Sequence, residues 1–412
     1  MIPLALDELR GLGRLEGGAE LVTGVEIDSR RVGPGDLFVA LGGGVAYLDE
    51  ARTRGAAATL VPDDAFAAMA ALGRAVRDRS EARVVAITGS SGKTSTKDIL
   101  AALCRPVART AAAEEGHNNE IGLPLTLTRL EPDTEVLIAE MGMRGLGQIA
   151  ALCEVAGPDI GVITNIGPVH LELLGTIERV AQAKAELLQA LPPGGIGVIP
   201  EDSPELDRFV PEGLDIRRFQ KPNVELRGGV SFVRFAGSEI PFSFTARHQA
   251  ANAVAALTVV DALGLPLPEE LVEVPFSRWR CEESPLPGGG LLINDAYNAN
   301  PASMRAAIEY LVDRAGGRHT VAVLGEMAEL GAEAPRFHEE VGAFARELGV
   351  DVVVGVGELA HRYEPEEWAP DAARAIELVR TVVVAGDTVL VKASRAVGLE
   401  VVADALAGVA AQ

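Results

Sequence analysis

Residues 83–96 read R-V-V-A-I-T-G-S-S-G-K-T-S-T. An apolar strand, Arg83–Ile87, runs into a glycine-bounded turn and then into a helix that begins near Thr94. Gly89 and Gly92 let the backbone turn tightly around Ser90 and Ser91 with N–H groups directed inward. Lys93 adds a point charge, and the hydroxyls of Thr94 and Ser95 stand at the helix N-terminus, where the dipole favours an anion. The spacing is the short form T-G-x-x-G-K-T, because position 87, where the longer form G-x-x-x-x-G-K-[ST] has its first glycine, is Ile87. The other reading is an ordinary strand-to-helix turn. Strand, lysine, hydroxyls and helix in this order point to bound phosphate, with ATP as the nucleotide and Mg²⁺ held by Thr94.

Outward from this loop, 412 residues are too many for one typical core, and three units are expected. With 48% hydrophobic but only 4% aromatic residues, the core must be built from Ala, Val, Leu and Ile, which suits helix-covered parallel sheets and an α/β class. The expected divisions are 1–80, 81–272 and 273–412. A net charge of −22 repels polyanions and anionic surfaces, so nucleic acid and membrane surfaces are excluded as partners. The first residues lack a basic, then apolar, leader, and no apolar run approaches the roughly 18 residues of a membrane span. A cytoplasmic location is expected. Cys104, Cys153 and Cys281 are odd in number and far apart, which suits incidental thiols rather than a disulfide or zinc framework. Lysine is scarce, with only Lys93, Lys97, Lys184, Lys221 and Lys392 against a background of arginine. Lys97 and Lys221 are read as incidental.

In the first block, 26–41 reads as an alternating strand broken at Pro34 and Gly35, followed by helix-like Ala-rich segments at Ala56–Leu60 and Ala65–Leu72. The second block repeats strand and loop at Glu135–Glu140, Asp159–Asn165 and Gly195–Pro200, with a helix at Ile177–Leu191. The third carries strands at Leu291–Asn294, Thr320–Leu324, Val350–Val356 and Thr388–Val391. Loops 295–301, 325–331 and 392–395 should then gather beyond the carboxyl ends of one sheet, where ligands of open α/β sheets bind.

Several residues could carry chemistry. Glu140 closes an apolar strand at the edge expected to hold the phosphate loop, which suits a Mg²⁺ ligand as well as a solvated carboxylate. His170 follows a Gly167-Pro168 turn. Lys184, among Ala181, Ala183, Ala185, Leu187 and Leu188, is either a solvated lysine or a buried amine with a lowered pKa. Asn118 and Asn119 offer neutral amides to phosphate or merely shape a loop. Asp28, Ser29 and Arg30 either cap a turn or present acceptor, hydroxyl and guanidinium to a polar ligand.

Taken together, TGSSGKTST, HNNEIGLP, EMG, ITNIGPVHLE with Lys184 downstream, NDAYNANP, LGEMAELG and KASR resemble the Mur ligase family, in the family's order and over nearly the whole chain. Within it, DAYNANP and LGEMAELG are similar to the members that act on D-alanyl-D-alanine. The resemblance implies a three-domain Mur ligase architecture: a first domain for the UDP end of a muramoyl peptide, a central P-loop ATPase domain and a C-terminal Rossmann-like domain for the incoming amine. It implies ATP-dependent joining of D-alanyl-D-alanine to UDP-N-acetylmuramoyl-tripeptide through an acyl phosphate, by a monomer, in making peptidoglycan precursors.

The same resemblance implies roles residue by residue. Asp28, Ser29 and Arg30 would meet the uridine. Gly89 to Ser95 and Asn119 would hold ATP phosphates, joined by Arg280, with Arg278 the other candidate. Asn252 and Asp295 would hold the nucleoside. Thr94, Glu140, His170 and a carbamylated Lys184 would ligate Mg²⁺, and Tyr297, Asn298, Lys392, Ser394 and Arg395 would approach the D-alanyl-D-alanine side. The chain departs from the family pattern at His248-Gln249, at Ala393 and over 41–50, which lacks the usual D-G-H-D-F. Rival readings are another amide ligase of this build, for a diamino acid or folylpolyglutamate, and a nucleotide-binding regulator without turnover.

Overall fold

A computed structural model of the chain describes residues 1–222 and 224–408. The decisive stretch forms the strand Arg83–Thr88 inside a six-stranded, wholly parallel sheet, in the spatial order Asp215–Phe219, Ile196–Pro200, Ile160–Ile163, Arg83–Thr88, Val136–Glu140, Thr110–Ala112. Its apolar run is continuous because both faces are covered. Val84 and Ala86 join one core, and Val85 and Ile87 another. Each Val or Ile so buried contributes about 1.5–3 kcal/mol. Helices Lys93–Cys104 and Gln249–Ala262 cover the second face through Ile99, Leu100, Ala253 and Leu257; Gln148–Ala156 and Ile177–Gln189 cover the first through Ile149, Leu152, Val180 and Leu187.

A second six-stranded sheet follows in the order Glu282–Pro285, Leu291–Asn294, Thr388–Lys392, Thr320–Gly325, Val352–Val356, Glu367–Ala369, parallel except for its first strand. The four strands expected from sequence are all present, the third starting at Val352 rather than Val350. Alternate residues again divide between two cores, Ala322 and Leu324 on one face and Val321 and Val323 on the other. Loops 295–301, 325–331 and 392–395 leave adjacent strand ends, as anticipated.

The N-terminal sheet has the order Gly13–Gly17, Ala58–Pro62, Asp36–Val39, Gly24–Glu26. Here the sequence reading of Ala56–Leu60 as helical is corrected. Gly55, at φ +101°, ends the preceding helix Leu48–Thr53, and Thr59, Leu60 and Val61 fill an interior strand paired on both sides. Alanine's helix preference is small, and the slot between two strands overrides it. The Ala65–Leu72 expectation holds within the helix Ala65–Arg77. An antiparallel sheet of Val224–Arg227, Val230–Phe235 and Ser238–Phe242 was not anticipated. Among the described residues no helix is long and apolar enough to cross a membrane.

The N-terminal and central sheets share one apolar core, in which Leu37, Leu60, Met69 and Leu72 are continuous with Leu123, Leu127 and Leu137. Gly73 makes the approach possible: a Cβ there would lie 2.8 Å from Pro124 Cα. The C-terminal sheet meets the central one through apolar residues, Ala246 and Leu171 packing into its core, and through polar contacts. Arg247 pairs with Asp313 at 3.0 Å, and Asn300 Nδ2 donates to Ser90 O at 3.4 Å.

Candidate active site

Gly89 and Gly92 adopt φ +151° and +77°, and neither position has room for a side chain. A Cβ on Gly89 would meet Thr164 Oγ1 at 1.8 Å, and one on Gly92 would meet Asn252 Oδ1 at 2.4 Å. The loop leaving the neighbouring strand supports the turn. Asn165 accepts from Ser91 N at 2.8 Å and donates to Ser91 Oγ at 2.6 Å, and Thr164 Oγ1 donates to Ser91 O at 2.5 Å. Gly167 N donates to Ser90 Oγ at 2.9 Å. The side chains and amides of Ser90 and Ser91, expected at the phosphates, are thus engaged with this buttress. The open donors are the first amides of the helix Lys93–Cys104, which have no intrahelical acceptor.

Beneath these amides, buried Thr94 Oγ1 donates to Glu140 Oε2 at 2.9 Å, and Asn118 Nδ2 donates to Glu140 Oε1 at 2.9 Å. Arg280 Nη2, from the far side of the cleft, donates to Thr94 Oγ1 at 3.0 Å. Its guanidinium lies over the Tyr297 ring, 3.8 Å from the centroid. Arg278 instead stacks on Trp279, so the structure brings Arg280 to the loop. Lys93 Nζ reaches back to Gly89 O at 2.9 Å. Desolvation lowers the Lys93 pKa, Glu140 raises it, and Arg280 lowers it further. Asn119 turns away, its Oδ1 accepting from the amides of Ile121 and Gly122. Asn118 is the carboxamide at the site. Asn252 packs on Gly92 and donates to Gln249 Oε1 at 2.8 Å.

Lys184 occupies the helix Ile177–Gln189 between two apolar faces, with its residue 2% exposed. Burial, and then the neighbouring Lys93 charge, drive its pKa well below the ordinary lysine value. This is the buried-amine alternative. His170, at φ +53°, bonds through Nδ1 to Glu329 of the C-terminal sheet. Its pKa is lowered chiefly by desolvation, with Glu329 opposing and Lys184 and Lys93 reinforcing. Among the described residues no three His, Cys, Asp or Glu side chains form a metal cage. Thr94 Oγ1 and Glu140 Oε2, hard oxygens buried at one point beside the open amides, suit Mg²⁺ bridged to phosphate, which needs few protein ligands. An ammonium cannot ligate a cation, so Lys184 fits that group only after conversion to a carbamate.

The C-terminal loops are drawn together by their own polar groups. Lys392 Nζ lies 2.5 Å from Asp295 Oδ2 and donates to Asn298 O at 2.9 Å. Asp295 Oδ1 also accepts from Cys281 N at 3.2 Å. Ser394 Oγ accepts from Ala328 N at 2.8 Å and contacts Ala299 O. Lys392, Ser394 and Asp295, expected against substrates, are therefore internal struts here. Tyr297, Asn298 and Arg395 keep exposed surface, with Arg395 over Trp279 and paired to Glu400.

In the first sheet the turn-cap reading describes the contacts present. Asp28 caps Ser29–Arg31, Arg30 pairs with Asp28 at 2.7 Å, and Ser29 Oγ donates to Glu50 at 3.0 Å. The hydrogen bond from the Arg30 side chain is the main force holding Asp28 down at about 2. The incidental reading of Lys97 is corrected. Lys97 is buried, donates to Ala113 O at 3.0 Å and pairs with Asp98, whose Oδ2 accepts from Ser277 N at 2.8 Å. It anchors the segment that carries Arg280. Lys221 is a surface lysine paired with Asp202. Asn118, Asn165 and Glu329 all lie in motifs singled out from sequence, but spacing does not say which side chain of a loop turns inward.

Residues 87–260 match the Mur ligase middle domain and 279–395 the Mur ligase glutamate ligase domain. The UDP-N-acetylmuramoyl-tripeptide–D-alanyl-D-alanine ligase of Mycobacterium tuberculosis is 36% identical over 470 residues, spanning 93% of this chain and 92% of that protein. The chain belongs to the Mur ligase family. Solved MurF structures share the fold of this Mur ligase. That from Acinetobacter baumannii gives a TM-score of 0.84 at 25% identity over 98% of this chain and 99% of its own. That from Thermotoga maritima, in complex with ADP, gives 0.80 at 29% identity over 93% of this chain and 97% of its own. Like its relatives, this Mur ligase is an ATP-dependent enzyme that forms a C–N bond.

Proposed function

We propose that the chain joins D-alanyl-D-alanine to UDP-N-acetylmuramoyl-tripeptide, using ATP to convert the tripeptide's terminal carboxylate to an acyl phosphate that the dipeptide amine attacks. The observation that carries this is the meeting of Thr94, Glu140 and Arg280 where the two large sheets face each other. The division of labour is 1–80 for the UDP-muramoyl end, 81–272 for ATP and 273–412 for the amine. Both substrate-facing loop clusters come from one chain, which supports action as a monomer, and the nucleotide substrates support a cytoplasmic site.

The first step brings two anions together, so catalysis is mainly positioning and charge compensation. Lys93 and the helix amides receive the phosphates, and Arg280 follows the transferred group. Glu140 and Thr94 would hold Mg²⁺, with His170 and a carbamate on Lys184 completing the set. Mg²⁺, when bound, supplies Lewis-acid polarisation of the phosphate oxygens. The lowered Lys184 pKa supports carbamate formation, since only a neutral amine adds CO₂. An α-amino group with a pKa near 8 is neutral in roughly a tenth of molecules at neutral pH, so the second step needs no dedicated strong base. Apposition of the two sheets keeps water from the acyl phosphate.

The test is phosphate release from ATP and Mg²⁺ with UDP-N-acetylmuramoyl-tripeptide, comparing D-alanyl-D-alanine with single amino acids and with folate substrates. Release that requires the dipeptide, with a product heavier by one dipeptide less water, is expected. Release driven by a single amino acid or a folate moves the chain to a rival ligase, and nucleotide binding without any amine-dependent release makes it a regulator.

A further inference from the structure

Two residues with side chains in the left-handed region face each other across the cleft between the large sheets, His170 at φ +53° and Glu329 at φ +63°. Such backbone costs on the order of 1 kcal/mol or more at a non-glycine residue and persists where the surroundings hold it. The surroundings here are reciprocal. Glu172 N donates to Glu329 O at 3.3 Å, and Gly331, at φ +60°, comes so near that a Cβ would lie 3.1 Å from Glu172 Cα. Leu171 packs against the cores of both sheets. Arg144 Nε, from the central sheet, holds Glu329 Oε1 at 3.2 Å, leaving Oε2 for His170 Nδ1.

The two glutamates of LGEMAELG are therefore used differently. Glu326 stays within its own sheet, where its Oε1 accepts from Leu359 N at 2.8 Å. Glu329 crosses the cleft. A carboxylate that accepts from Nδ1–H fixes the imidazole tautomer, leaving the Nε2 lone pair for a cation, and raises its donor strength.

We propose that Glu329 is a positioning residue, supplied by the C-terminal sheet, that orients His170 as a metal ligand and so couples apposition of the two sheets to completion of the metal site. This rests on the reading of His170 as a ligand in the proposed ligase. Glu329 Oε2 engages Nδ1, so Nε2 is the ring nitrogen left for a cation. Arg144 acts through Glu329 alone, aligning its carboxylate.

The test is Mn²⁺ titrated into the ADP-saturated full chain and followed by the paramagnetic resonance of free Mn²⁺, together with ¹⁵N shifts of His170. Glu329→Ala is expected to weaken Mn²⁺ binding about tenfold and to scramble the imidazole tautomer. Glu329→Gln, whose amide oxygen still accepts from Nδ1–H, is expected to recover the tautomer and most of the affinity. A loss below threefold in Glu329→Ala, or an unchanged tautomer, overturns the proposal. So does an equal loss in the Ala and Gln variants. Since Glu329 is about a third exposed, its variants should fold, and matching melting temperatures verify that. Wild-type protein with dipeptide-dependent phosphate release but no effect of Glu329 on Mn²⁺ sinks this inference alone. Absence of release in the wild type sinks the ligase reading instead.

Discussion

Replacing Lys392 by Met separates a structural lysine from a substrate-binding one. Its ammonium sits 2.5 Å from Asp295 Oδ2, with the two side chains 3% and 13% exposed. Lys392→Met would leave the Asp295 carboxylate buried, with the Cys281 amide at 3.2 Å as its remaining partner. Removing one member of a buried pair costs about 3–5 kcal/mol, most of it the uncompensated charge. For a cooperative unit of about 150 residues, each kcal/mol lowers the melting temperature by about 2–4 °C, so the transition of the C-terminal sheet should fall by about 6–20 °C. In Lys392→Met/Asp295→Asn the orphan charge is gone, and an Asn oxygen can still accept from Cys281 N. At least half of the lost stability should return. The assay is differential scanning calorimetry of wild type, both single variants and the double variant. A Lys392→Met protein that melts with the wild type while its KM for D-alanyl-D-alanine rises would refute the strut and restore the substrate contact.

Lys93→Ala removes a charge-assisted contact of about 1.5–3 kcal/mol, so calorimetric ADP affinity should fall about 10- to 100-fold; an unchanged affinity contradicts the loop assignment. Lys184→Arg should bind ADP normally yet form no acyl phosphate, because a guanidinium keeps its charge and cannot become a carbamate; full turnover discards that role. His248 is held down to about 4, chiefly by burial, with Asp295 opposing and Lys392 reinforcing. Because its folded pKa lies below the unfolded value near 6.5, this histidine's contribution is complete above pH 6.5 and is lost as pH falls toward 4, at most about 3 kcal/mol. His248→Gln should flatten that limb of urea stability against pH, and an unaltered slope counts against it. Gly73→Ala should lower the unfolding free energy read from urea titration by about 1–2 kcal/mol, since the 2.8 Å approach to Pro124 Cα outweighs the helix-propensity gain; a stabilised variant would show the contact to be slack.

What the sequence made legible was what local chemistry dictates. The strands Arg83–Thr88, Thr320–Gly325 and Thr388–Lys392 announce themselves because residues buried on both faces must be apolar without interruption. The turn at Gly89 and Gly92 is legible for a similar reason, since steric demands leave glycine alone there. Ala58–Pro62 was hidden because its slot is created by Gly13–Gly17 and Asp36–Val39, far away in sequence. Lys392 and Lys97 show the same limit in the site. A lysine at a strand end or in a helix reads alike whether it faces substrate or a buried aspartate; for Lys392 the deciding partner, Asp295, lies 97 residues away, and for Lys97 the fold must bring Ala113 O onto the amine beside Asp98. Glu329 lay in a quoted motif, but only the apposition of the two sheets reveals that it meets His170.

The charge balance gains meaning once the site is located. A protein of net charge −22 must collect phosphates, and screening confines the surface field to about 8 Å at physiological salt. Within that distance the cleft is governed by its own groups. Burial lowers the affinity of Lys93 for a proton, and Arg280 stands close enough to lower it further, so the cleft brings together cations that repel and are held away from bulk water. A triphosphate relieves both penalties at once, whereas an exposed basic patch of equal charge would already be compensated by water and salt. Burial thus makes these few cations selective for a multivalent anion seated on the helix amides. The acidic exterior costs that selectivity little while it keeps nonspecific polyanions away.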